Sequence, residues 1–96
     1  MQARKKIEVI IGQMYVPRIL ELITKSRIGG YTLIKNVIGS GDHGEQDAQE
    51  LIDVNTNSYF IIITTHAKAE LLMQDVKDLM EKTGGMLLVS DIQLVA

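Results

Sequence analysis

Hydrophobic positions along this chain alternate between short, dense runs and helical stripes. Residues 5–12, KKIEVIIG, form an apolar, β-branched run with charge at its front. That is the pattern of a strand buried on both faces. In YVPRILELITKSRIGG, residues 15–30, Val16, Ile19, Leu20, Ile23 and Ile28 recur at helical spacing. This predicts an amphipathic helix of about 11–13 residues. Pro17 suits its first position, where a missing N–H costs nothing. Arg27 falls in its last turn, and Gly29 suits the left-handed position after it. YTLIKNVIG, 31–39, reads as a second strand and SYFIIITT, 58–65, as a third. Thr65 is an N-cap candidate for a second helix, HAKAELLMQDVKDLMEKTGG. Ala69, Leu72, Val76, Leu79 and Met80 make its buried stripe, with Lys68, Asp75, Lys77, Asp78 and Glu81 outward. Lys82 and Gly84 close it. MLLVSDIQLV, 86–95, is the last strand.

The order is strand–helix–strand, a polar stretch, then strand–helix–strand. The halves echo each other. IEVII at 7–11 matches YFIII at 59–63, and IGGYTLI at 28–34 matches TGGMLLV at 83–89. Two such units intercalating in one antiparallel sheet give an α+β, ferredoxin-like βαββαβ fold with both helices on one face. The strands are apolar at nearly every position, so the face without helices also needs cover. A chain this short has no second layer to supply it. Self-association through the open sheet face is the simplest solution.

Length and composition narrow the picture. A chain of 96 residues is expected to be one domain, spanning 1–96. Aromatic residues make up 4% and Trp is absent, so the core is aliphatic. A net charge of −2 offers nothing to nucleic acid. The cluster Arg4, Lys5 and Lys6 reads as a solvated strand entrance. Cysteine is absent, which excludes thiolate chemistry and disulfides and fits a reducing cytosol. No apolar stretch has the length of a signal peptide or a membrane span. The expectation is a soluble, cytoplasmic protein that is not membrane-inserted.

Residues 39–57, GSGDHGEQDAQELIDVNTN, stand apart. They hold five carboxylates, one histidine and three glycines, with no Lys or Arg. Asp42, His43, Glu45 and Asp47 could offer oxygen ligands to a hard cation. The run does not match an EF-hand and lacks zinc spacing, so a solvated acidic loop is the simpler reading and no metal is assigned. Catalysis finds no support. The carboxylates lack burial to separate their pKa values, Ser40 is in no nucleophile elbow, and His66 has no partner in sequence. The chain is read as not an enzyme. GSGDHG, 39–44, follows a strand, and its glycines could turn backbone N–H groups toward an anion. Acidic residues follow it, however, and the Rossmann and Walker readings fail on context. Taken alone, Gly39 and Gly41 end a strand. TGG at 83–85 is the counterpart, read as a helix stop.

Three pieces together resemble the PII signalling superfamily. KKIEVII resembles its opening strand. IGGYTL followed by VIGSG resembles its second strand and the base of its long T-loop. EKTGG before an apolar strand resembles its B-loop. The resemblance implies a homotrimer with open sheet faces packed together. It also implies an adenine-nucleotide site between subunits and a T-loop that contacts a partner such as a transporter or enzyme. Carried over residue by residue, the nucleotide-binding positions are Thr32, Gly39 and Gly41 near the T-loop base, Ile63 beneath it, and Gly84 and Gly85 in the B-loop. No covalent cofactor is implied; ATP, ADP, AMP or cyclic AMP would be the sensed ligand.

The departures from that pattern shape the expectation. Asp42 and His43 stand where the family places an arginine and a glutamine, and Asp42 would repel a phosphate. TGG runs straight into Met86, without the phosphate-gripping lysine of the usual B-loop. The T-loop, 40–57, is short and lacks the tyrosine modified in some nitrogen regulators. The pattern is closer to PII-like proteins linked to inorganic carbon, whose ligands are adenine nucleotides or bicarbonate. The stretch 39–57 carries −5 and the rest of the chain +3, which favours a basic partner surface. Two further readings share the fold: a metal-responsive trimer of the CutA type using the 42–47 cluster, and a ligand-free oligomeric interaction module.

Overall fold

The computed structural model describes residues 1–39 and 56–96. Strand β1, Gln2–Gly12, runs through the middle of the sheet. A single 3-10 turn, Gln13–Tyr15, leads into helix α1, Val16–Lys25. Strand β2 is Thr32–Val37 and β3 is Asn57–Thr64. Helix α2, His66–Thr83, and strand β4, Met86–Leu94, complete the chain. The sheet order is β2-β3-β1-β4, with every neighbouring pair antiparallel. Each strand–helix–strand unit therefore leaves a gap that the other fills. This is the expected ferredoxin-like arrangement.

The core lies between one sheet face and the two helices. Ile7, Val9 and Ile11 of β1 and Phe60 and Ile62 of β3 point into it, alternating with residues on the other face. Ile19, Leu22 and Ile23 of α1 and Ala69, Leu72 and Val76 of α2 close over them. Leu20, Leu79 and Met80 of the expected stripes are only partly buried. Phe60 is fully buried, and the ring of Tyr31 tilts against it at 6.0 Å. The α2 N-cap is as expected: Thr65 Oγ1 accepts from Lys68 N at 3.4 Å.

Several boundaries depart from the sequence pattern. Strand β1 begins at Gln2, so Arg4, Lys5 and Lys6 lie inside a strand and not at its entrance. Strand β4 holds them there: Arg4 pairs with Ile92, Lys5 with Asp91 and Lys6 with Ser90. The Lys5 ammonium also donates to the Asp91 carboxylate. Asp75 is not a purely solvent-facing residue, because Lys25 Nζ of α1 sits 3.3 Å from its carboxylate.

The exit of α1 is a second correction. Gly29 has no left-handed backbone; Arg27 does, with φ 60. Ile28 N donates to Ile23 O at 3.3 Å and Arg27 N to Thr24 O at 3.0 Å, the paired bonds of a Schellman motif. Ile28 and Ile23 are both buried, which fixes the turn there, ahead of the glycines. The Gly-Gly echo is thus one of sequence only: at the exit of α2, Gly84 and Gly85 do adopt positive φ, 73 and 118.

Candidate functional site

The strand registers decide which candidate residues meet. Gly12 pairs with Asn57, Ile10 with Met86, and Val37 with Asn57. The end of β1, the start of β3, the exit of β2 and the entrance of β4 therefore share one end of the sheet. Gly39, Gly84 and Gly85 all belong to that end. Gly39 leaves the edge strand β2, while Gly84 and Gly85 precede the opposite edge, with β3 and β1 between. Gly41 lies outside the described residues.

Ile63 sits toward the other end, and Thr32 in a middle row of the sheet. Thr32 opens β2 opposite Ile61, and Ile63 pairs with Lys6. Six strand positions separate Lys6 from Gly12, about 20 Å, and four separate Glu8, in Thr32's row through Ile61, from Gly12, about 13 Å. So Thr32 does not stand at the base of the 40–57 loop within its own protomer, and Ile63 does not lie beneath that base. Both face the open side of the sheet. Helical and strand periodicity places residues on faces, but only the antiparallel register assigns them to ends.

The glycine end is shaped by close packing. A Cβ on Gly85 would fall 2.7 Å from the Ile10 carbonyl oxygen and 3.2 Å from Met80 Cε. Gly84 N donates to Met80 O at 2.9 Å, closing α2, and Thr83 Oγ1 donates to Gly84 O at 2.9 Å. Gln13 N donates to Thr56 O at 2.9 Å, tying the end of β1 to the chain entering β3. A turn of two glycines exposes backbone that no side chain shields. Its electrostatics are unlike a phosphate grip. The carbonyl end of α2 abuts the turn, and the chain has no Lys or Arg in 36–67 or in 83–96.

Asn36 is a residue the sequence reading missed. Its φ is 61, and β2 shifts register between Ile34 and Val37. This bulge bends the strand just before Gly39. Asparagine's tolerance of left-handed backbone was the available signal, in a run otherwise typical of a strand.

The 42–47 cluster of carboxylates and His43 lies outside the described residues. Among the described residues, no group of three or more His, Cys, Asp or Glu could hold a metal. A hollow of about 270 Å³ between α1 and α2, lined by Lys25, Ser26, Leu71 and Asp75, is on the helical layer, away from the glycine end. No helix among the described residues is long and apolar enough to cross a membrane.

The same architecture occurs in solved structures. CPII of Thiomonas intermedia K12, bound to ADP and bicarbonate, aligns with a TM-score of 0.81 at 25% identity, over 96% of this chain and 88% of that one. The same protein, described as nitrogen regulatory PII-like and bound to ADP, AMP and bicarbonate, aligns at 0.81 with 22% identity, over 98% and 94%. The B. subtilis GlnK–ATP complex aligns at 0.70 with 17% identity, over 96% and 84%. The last two likenesses speak for the fold alone. No curated protein sequence matches the chain. The family model for nitrogen regulatory protein P-II, by contrast, matches residues 4–96. With nearly the whole chain matched and the intercalated fold in place, this protein belongs to the P-II family.

Proposed function

We propose that this chain is a single-domain PII-like regulatory protein, not an enzyme, that senses an adenine nucleotide in the cytoplasm. ATP, ADP, AMP or cyclic AMP is the ligand class, with bicarbonate as a companion. Three copies pack their open sheet faces together. The ligand lies between neighbouring copies, and the loop 40–57 signals to a partner such as a transporter or enzyme.

The observation that carries this reading is the family match over residues 4–96. The solved relative at 25% identity, which holds ADP and bicarbonate, supports the ligand class. The distribution of the candidate residues fits a shared site. Gly39, Gly84 and Gly85 occupy one end of each sheet, Ile63 lies toward the other, and Thr32 lies between them. A cleft between copies can join one end of a protomer to the other end of its neighbour. Gly41 stays a candidate through the family resemblance alone.

Isothermal titration calorimetry on the assembled protein, its mass checked by sedimentation, tests the reading. Saturable heat is expected with at least one of ATP, ADP, AMP and cyclic AMP, with and without bicarbonate. Silence with all of them would remove nucleotide sensing.

A further inference from the structure

The sheet face opposite the helices is apolar across all four strands. Ile10, Ile34, Ile61, Ile63, Met86 and Leu88 lie on it. Met86 is 51% exposed, Ile34 46% and Leu88 44%. One acidic residue interrupts it at the centre. Glu8 of β1 pairs with Ile61 on one side and Leu88 on the other. The Tyr59 hydroxyl of β3 donates to its Oε1. Lys6, on the same strand and face, brings Nζ to 4.0 Å from the same oxygen. Arg4 and Ser90 lie further along the face.

We propose that the Tyr59–Glu8 hydrogen bond is the polar key of the interface between copies of this chain, satisfying the central carboxylate from within each protomer so that the face can be dehydrated. This rests on the reading that the copies associate through the open face. A carboxylate taken out of water without a donor is costly, and one already hydrogen-bonded is far less so. In a ring of three copies each interface sets one patch against a different patch of the next copy, and only residues on the three-fold axis meet their own counterparts. An unanswered Glu8 would meet an apolar surface, or another Glu8. Tyr59 and Lys6 answer it inside the protomer, so the face asks no complementary charge of its partner. That self-sufficiency suits a second copy of the same chain better than a basic foreign surface. Tyr59 is thus a residue that governs association.

The test is concentration-dependent sedimentation of the full chain. Tyr59→Phe is expected to weaken association by at least about tenfold, with the circular dichroism of the protomer unchanged. Glu8→Ala removes the charge as well as the bond and should weaken it less. The double variant Y59F/E8L, apolar at both positions, should associate at least as tightly as the wild type. Unchanged association of Tyr59→Phe would overturn the inference, as would a larger loss with Glu8→Ala than with Tyr59→Phe. A wild-type chain that stays monomeric would instead sink the oligomer reading itself.

Discussion

Gly85 shows how much one hydrogen atom in place of a methyl can decide. Its φ of 118 is strained for any side chain, and a Cβ there would meet the Ile10 carbonyl at 2.7 Å. Gly84 differs: its φ is 73, and nothing lies within 4 Å of an added Cβ. Gly85→Ala should therefore cost about 2–4 kcal/mol. Gly84→Ala meets no atom but keeps φ 73 and ψ −172, a backbone region essentially confined to glycine, and should cost about 1–3 kcal/mol. Urea denaturation of both variants checks the order; equal losses would mean the Ile10 contact is not limiting. The pair reads in sequence as a helix stop, which it is. Which glycine is packed against β1 was not legible, because the neighbour is 75 residues away along the chain.

At the scale of elements, the two helix exits make a natural experiment. Both precede a Gly-Gly pair, yet the chain turns at Arg27 after α1 and at Gly84 after α2. The burial of Ile28 against the core sets the first turn and outweighs the left-handed penalty on an arginine. Replacing Arg27 with glycine relieves that penalty and adds some unfolded-state freedom. The expected net gain is about 0.5–1 kcal/mol, read as a raised thermal midpoint. A lowered midpoint would show that the Arg27 side chain contributes more than its backbone costs. The helices and strands themselves were legible from periodicity. Their ends were not, because β4 extends the pairing of β1 back to Gln2 and β2 ends at Val37, which meets the first residue of β3.

For the molecule as a whole, pH reports on cross-strand pairs. The Tyr59 phenol is raised above its ordinary pKa, first by its hydrogen bond to Glu8, then by desolvation and the Glu8 charge. A raised folded value means the folded state holds this proton more tightly than the unfolded one. That contribution is complete below about pH 10 and is lost as pH climbs through 10 toward the raised value. The Asp91 carboxyl is lowered, chiefly by its hydrogen bond to Lys5 and then by that charge. Its contribution is present above about pH 4 and is lost as pH falls from there through the lowered value. Comparing urea midpoints of wild type and Tyr59→Phe between about pH 8 and pH 11 isolates the phenol. The wild type should lose the larger share of its stability over that range, and parallel curves would refute the linkage.

The amino-acid sequence by itself determined the element types, the intercalating order and the presence of an apolar face with no helices to cover it. Those follow from side-chain periodicity, which is local. It also carried the resemblance that the family match bears out. Only the tertiary structure decided that Gly39, Gly84 and Gly85 share one sheet end while Thr32 and Ile63 lie away from it. It alone placed Glu8 beneath Tyr59 in the middle of the open face. The reason is register: antiparallel pairing between residues 20 to 92 apart along the chain sets which ends and side chains meet, and no local pattern encodes that distance.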